Sequence, residues 1–195
     1  MNWVEYKRKK LEGYNLAKER GEVDEDIIPL LDLINSFDCF VTTSSCSGRI
    51  GVLDMPEFGD KVEAKFLGKW HDTVEFEDVL KAVKRGQRVV WLIMYPPIIH
   101  IACKDLGCAE RLISIANNYG FRRSGIISVK NWVVEITSLE RLEVPVALNG
   151  EMILSENALR VMVDFANRKL ARSKEKLKKL YKALKELSIS HRIFL

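Results

Sequence analysis

The sequence predicts an α+β fold: a mixed, partly antiparallel sheet with flanking helices and a long C-terminal helix, not a Rossmann-type arrangement. Three observations carry this reading. Helical periodicity occupies both ends of the chain. Between them lie short β-rich runs separated by Ser/Gly/Pro turns. Helical stretches interrupt those runs without the regular strand-helix alternation that builds a doubly wound parallel sheet. A length of 195 residues suits one domain, and 47% apolar with 30% charged residues is the composition of a packed chain.

Each element has its own warrant. Trp3 to Arg20 is amphipathic, with Val4, Leu11, Tyr14 and Ala17 near one face, and Gly21 closes it. A second helix follows, with Asp24 and Asp26 at its positive end, Pro29 in its first turn, and Leu30, Leu31, Leu33 and Ile34 supplying the buried side. Neither helix looks catalytic. From Cys39 the runs CFVTT, RIGVLDM and KVEAKFLGKW read as strands, FEDVLKAVKRG as a helix with a Gly stop, and QRVVWLIMY and IIHIACK as strands hinged at Pro96 and Pro97. LGCAERLISIANNYGF is a helix ended by Gly120, GIISVK and WVVEITSL form a hairpin around Lys130 and Asn131, and RLEVPVAL is a further strand. The last helix runs from Ser155, its N-cap, to about Leu187.

Charge is unevenly spread. From Ser155 onward there are 11 Lys/Arg against 4 Asp/Glu, a net of +7, in a chain whose total is +4. A basic surplus on one helix is the footprint of a docked polyanion; a solvated Lys/Glu helix of a heat-adapted protein is the alternative. No apolar run approaches the roughly 18 residues of a membrane span, and no secretory signal is visible, so a cytoplasmic protein without membrane partner is expected. Cys39, Cys46, Cys103 and Cys108 form no CxxC pair, so reduced thiols and no metal site are expected. Walker, GxGxxG, HExxH and GxSxG motifs are absent.

The stretch TTSSCSGRIGV, Thr42 to Val52, concentrates the chemistry. Ser44 to Gly48 is expected to be a strand-connecting loop offering hydroxyls and amides, with Arg49 adding a planar fork for phosphate or carboxylate. An ordinary Ser/Gly turn has the same composition. Cys46 suggests a nucleophile only if a histidine assists it, and His71 and His100 both fall at expected strand ends. The apolar run around His100 suits a hydrogen-bonded core histidine, the favoured reading, or a site group tuned by desolvation, whereas Lys69, Trp70 and Asp72 around His71 suggest a site. Glu135 shares a strand face with Val133 and Thr137, either as a surface residue or as a holder of a cationic ligand. GFRRSGI, from Gly120 to Ile126, is a second Gly/Arg/Ser turn.

The segments DCFVTTSSCSGRIGV, GKWHD, PPIIHIACKDLGCAERLISIANNYGFRRSGI, LEVPVALNG and FANRKL, in that order from about Ile28 to the C-terminal helix, resemble the tRNA wybutosine-synthesising protein 3 family. The resemblance implies a single methyltransferase domain over residues 1–195, with its basic helix at about 155–187. It implies S-adenosylmethionine as cofactor and N4-methylation of a demethylwyosine-type base beside the tRNA-Phe anticodon, with no obligatory protein partner. The implied site comprises Ser44, Ser45, Cys46, Gly48, Arg49, Trp70, Arg122, Ser124 and Gly125, with His71 or His100 as base. Tyr95 stands where many members carry an acid; Glu135 or Asp72 would substitute. Trp70 would stack on the base, and Lys174, Lys178, Lys182 and Lys185 would follow the anticodon-stem phosphates. A non-catalytic RNA-binding module and a Cys–His transfer enzyme are the rival expectations.

Overall fold

The computed structural model describes residues 2–56 and 63–189. The described chain divides into two compact units, each built from separate stretches. The first holds the residues up to Ser47, Pro97–Leu139 and the chain from Lys174; the second holds Gly48–Pro96 and Glu140–Ser173.

In chain order, the first unit receives helix α1 (Trp3–Glu19), helix α2 (Ile28–Ser36) and strand β1 (Phe40–Cys46). The Asn2 side chain accepts the Glu5 amide hydrogen to start α1, and Gly21, at φ 67°, lets the chain leave it. The second unit then takes β2 (Arg49–Met55), β3 (Lys65–Trp70), α3 (Phe76–Val83) and β4 (Val89–Tyr95). Pro96 and Pro97 cannot donate to a ladder, so pairing stops there. The first unit resumes with β5 (Ile98–Cys103), α4 (Leu106–Asn118), β6 (Gly125–Ser128) and β7 (Val133–Ile136). The second closes with β8 (Leu142–Leu148) and β9 (Glu151–Met152), and α5 (Glu156–Ile189) gives its first half to the second unit and its remainder to the first. Ser155 Oγ accepts the Ala158 amide at 3.2 Å, the N-cap expected from sequence.

The α+β class, the flanking helices and the long last helix are as expected. The strands are shared between two sheets, and every pairing among the described residues is antiparallel. In the first unit the order is β1-β5-β7-β6, and its core joins Phe40, Ile99, Ile101, Val134 and Ile136 to Leu112 of α4 and Leu180 and Leu184 of α5. In the second the order is β3-β2-β4-β8-β9, packed on α3 and on Leu159, Val163, Ala166 and Leu170 at helical spacing. The Lys61 to Ala64 start of the third expected strand lies partly outside the described residues.

Candidate active site

One row of directly opposed residues crosses the first unit's sheet. Ser44 pairs with His100, His100 with Glu135, and Glu135 with Gly125. Side chains follow the row: Ser44 Oγ lies 2.8 Å from His100 Nδ1, and His100 Nε2 lies 2.9 Å from a Glu135 carboxylate oxygen. An ionised carboxylate only accepts, so Nε2 carries the hydrogen, and in the neutral ring Nδ1 is left to accept the Ser44 hydroxyl. A proton arriving at Ser44 thus has a path to an imidazole whose charged form faces a carboxylate. His100 and Glu135 side chains are 29% and 30% exposed, dry enough for the pair to matter and open enough to meet a ligand.

Ser44 meets His100 because β1 carries an extra residue. Up to Thr42, opposite Ile101, the register would set Thr43 against His100; a bulge between Thr42 and Ser44 shifts it by one. Thr43 Oγ1 instead donates to the His100 carbonyl at 3.2 Å. The bulge is pinned from α2: buried Asn35 accepts the Thr42 amide hydrogen through Oδ1 at 2.8 Å, and its Nδ2 reaches Thr42 Oγ1 at 2.9 Å.

Beside the row, a cavity of about 420 Å³ opens between α1 and the β1 hydroxyls of Thr42 to Ser45. Lys9, Lys10 and Tyr14 supply its helical wall, and Glu22 an acidic corner. Gly13 lies in that wall, and a Cβ built there meets nothing within 4 Å, so the missing side chain leaves room. Tyr14 donates to Asp32 at 2.7 Å; burial first, then Asp32, holds its phenol well above the ordinary value, so it remains a neutral donor. Near the end of β1, fully buried Ser47 takes the Asp24 carboxylate on its amide at 2.7 Å, while its Oγ has no partner among the described residues.

The other expected site residues are distributed as follows. Ser44, Ser45 and Cys46 belong to β1, so the expected loop from Ser44 to Gly48 shrinks to Ser47 and Gly48, the latter at φ 90°. Pairing with β5 through Cys46 extends the strand beyond the run that composition suggested. His100 sits inside β5 and is no core histidine: its ring bonds two polar side chains, neither of them Cys46. Glu135 holds His100. Ser124 Oγ accepts the Thr137 amide at 3.3 Å, and Gly125 occupies the end of the row. Arg122 is exposed.

In the second unit, Arg49 begins β2 with its guanidinium 6.0 Å from the Phe66 ring, and its shielded Nε has no partner among the described residues. Trp70 ends β3 half-buried, its ring lying over Gly68 and against the unit's core; His71 follows it. The carboxylate beside Tyr95 is Glu143, and Arg141 stacks 4.6 Å from the Tyr95 ring. Of the four lysines on α5, Lys174 is engaged by Asp26 at 2.6 Å and Lys178 by Glu175 at 2.6 Å, whereas Lys182 and Lys185 are exposed. Sequence reading passed over Asn35 and the α1 residues Lys9, Lys10 and Gly13, and took Tyr14 only as part of an apolar face. A Gly inside the helical stretch was the available signal. No described helix is long and apolar enough to cross a membrane.

Comparison with known proteins places the chain among relatives. The family described as Methyltransferase TYW3 matches residues 5–186. An Archaeoglobus fulgidus protein named tRNA(Phe) 7-((3-amino-3-carboxypropyl)-4-demethylwyosine(37)-N(4))-methyltransferase is 54% identical over 187 residues, covering 96% of this chain and 95% of the relative. A Pyrococcus furiosus protein of the same name, numbered 1, is 48% identical over 92% of this chain and 93% of its own length. Among solved structures, the PH1069 protein from Pyrococcus horikoshii superposes with a TM-score of 0.90 at 45% identity, covering 94% of this chain and 96% of that one. A hypothetical protein from Aeropyrum pernix gives 0.74 at 29% identity, covering 84% and 98%.

Proposed function

Because the chain belongs to the Methyltransferase TYW3 family, we propose that it methylates N4 of the 7-(3-amino-3-carboxypropyl)-4-demethylwyosine base at position 37 of tRNA-Phe, with S-adenosylmethionine as donor. End-to-end identity with relatives bearing that enzyme name supports the reaction. The hydrogen-bonded row Ser44–His100–Glu135 beside a cavity is the observation that carries the mechanism.

The donor suits the residues present. A volume of about 420 Å³ falls in the roughly 300–1,000 Å³ range of small-molecule sites. Lys9 and Lys10 suit a carboxylate, Glu22 suits an ammonium or ribose hydroxyls, Tyr14 offers a ring face, and the β1 hydroxyls offer adaptable hydrogen bonds. When bound, the donor supplies an electrophilic methyl group on a sulfonium. The remaining work belongs to this chain: positioning the acceptor nitrogen, and taking the proton it sheds as the new N–C bond forms. Ser44 Oγ accepts that hydrogen while its own passes to His100 Nδ1, and Glu135 stabilises the resulting imidazolium.

The test is transfer of a labelled methyl group from S-adenosylmethionine to tRNA-Phe carrying the demethylated base, with unmodified tRNA-Phe as control. Label confined to the modified base is expected. No label, with donor and tRNA each bound, would overturn the acceptor assignment; no donor binding would leave an RNA-binding module.

A further inference from the structure

Residues 111–134 contain four cations and no carboxylate. Within them, β6 is the outer strand of the first unit's sheet, and it exposes apolar side chains: Ile126 at 36%, Ile127 at 54% and Val129 at 75%. An exposed apolar edge strand normally invites another strand to pair with it. Here the pairing shifts between Ile126 and Ser128, which face adjacent β7 residues, so Ile127 is the inserted residue of a bulge. That bulge spoils the edge as a template for strand addition and leaves the side chains on offer.

The hairpin that presents them is held firmly. Asn131 and Trp132 adopt φ of 61° and 45°, a conformation a bulky residue keeps only when its surroundings enforce it, and Trp132 packs against the unit's core. Arg122 and Arg123 precede this apolar strand and Lys130 follows it. All three are exposed, and none has a side-chain ion pair or hydrogen bond among the described residues. Lys174 and Lys178 of α5, by contrast, already have carboxylates.

Resting on the function proposed above, we infer that the β6–β7 hairpin is an RNA-docking surface: Arg122, Arg123 and Lys130 take phosphates, while Ile127 and Val129 lie against the ribose or base faces of an unstacked loop. Cations specify the partner's sign. Exposed apolar groups beside them suit a nucleic acid whose bases are out of the stack better than a duplex backbone alone.

The experiment measures tRNA-Phe binding over a series of salt concentrations for the native protein and three variants. Arg122→Ala/Arg123→Ala/Lys130→Ala is expected to lower the slope of log K against log salt by about 2–3, from roughly 0.7–0.9 per lost phosphate contact. Arg122→Lys/Arg123→Lys should keep the slope. Ile127→Ser/Val129→Ser should weaken binding about tenfold at every salt concentration, with the slope kept. An unchanged slope in the triple variant, with native tRNA binding intact, overturns the inference and leaves the methyltransferase reading standing. Loss of donor affinity by calorimetry without a slope change would assign the turn to the donor instead, and also overturn it. So would sedimentation showing that Ile127→Ser/Val129→Ser dissociates a dimer while tRNA affinity holds. Native protein that binds no tRNA would sink both readings.

Discussion

Replacing Glu135 with Gln tests the proton path with little change of shape. The carboxylate lies 2.9 Å from His100 Nε2, with both side chains about 30% exposed. A hydrogen bond to a charged partner contributes about 1.5–3 kcal/mol and a neutral one about 0.5–1.5. The amide therefore forfeits about 1–1.5 kcal/mol of imidazolium stabilisation, trimmed to about 1 by solvent screening at this exposure. That corresponds to a fall in kcat of about fivefold. His100→Ala removes the proposed base outright, with an expected loss of about 10²–10⁴. Ser44→Ala combined with Glu135→Gln should cost less than the two separate effects multiplied, because the three residues act as a unit. Single-turnover methyl transfer at saturating donor and tRNA reads kcat apart from KM. Turnover of Glu135→Gln within twofold of native, or a change confined to KM, would refute the relay.

Four further outcomes follow from the same geometry. Gly13→Leu should stabilise α1 by about 1 kcal/mol in thermal melts, since a helical Gly meets open space there, yet weaken donor binding at least tenfold; undiminished affinity by calorimetry would move the donor elsewhere. Asn35→Ala leaves the buried Thr42 amide without its acceptor and should cost about 1–3 kcal/mol in chemical denaturation, together with activity; full activity would show that the bulge holds itself. Burial pushes the Asp54 carboxyl up, but the Gln87 amide and Arg88 outweigh it and hold the group below its ordinary value. Its stabilisation is thus complete above the unfolded value of about 3.9 and lost as pH falls through the folded one, so the stability gap to Asp54→Asn should be flat near neutrality and close in acid. Cys39, Cys103 and Cys108 are buried, burial pushing the Cys108 thiol up to about 12 and that of Cys103 higher still, so a water-soluble disulfide reagent should label Cys46 alone in the folded protein; rapid reaction of a second thiol would contradict this packing.

Local physics made the elements legible. The β-rich composition of RIGVLDM, set off by turn residues, marked β2 at its observed bounds, Arg49 to Met55, and Ser155 was readable as a cap because capping needs only the next three residues. Register is another matter. Ser44 and His100 are 56 residues apart and His100 and Glu135 are 35 apart, so no window of sequence contains the pair that matters. Read alone, His100 among isoleucines looks like core, and Glu135 between Val134 and Ile136 fits a surface residue or the holder of a cationic group equally well; only the facing residue decides either. The α1 cavity escaped for a similar reason, since a glycine reveals a space only when the opposite wall is known.

The bulge at Thr43 explains why a run of hydroxyl residues serves here where a regular strand would not. In an unbroken ladder Thr43 would face His100, and its β-branched side chain is confined to few rotamers. One inserted residue turns Thr43 to the His100 carbonyl and hands the imidazole to Ser44, whose small side chain is freer to rotate between ring and ligand. A slip of one residue moves every later side chain to the other face, so Asn35, gripping Thr42 just before the insertion, sets which residues beyond it face the row. The geometry that β1 gives the proposed relay therefore depends on a buried amide in α2 that touches neither the imidazole nor the carboxylate of the row. Loss of that amide should lower turnover even in protein that remains folded.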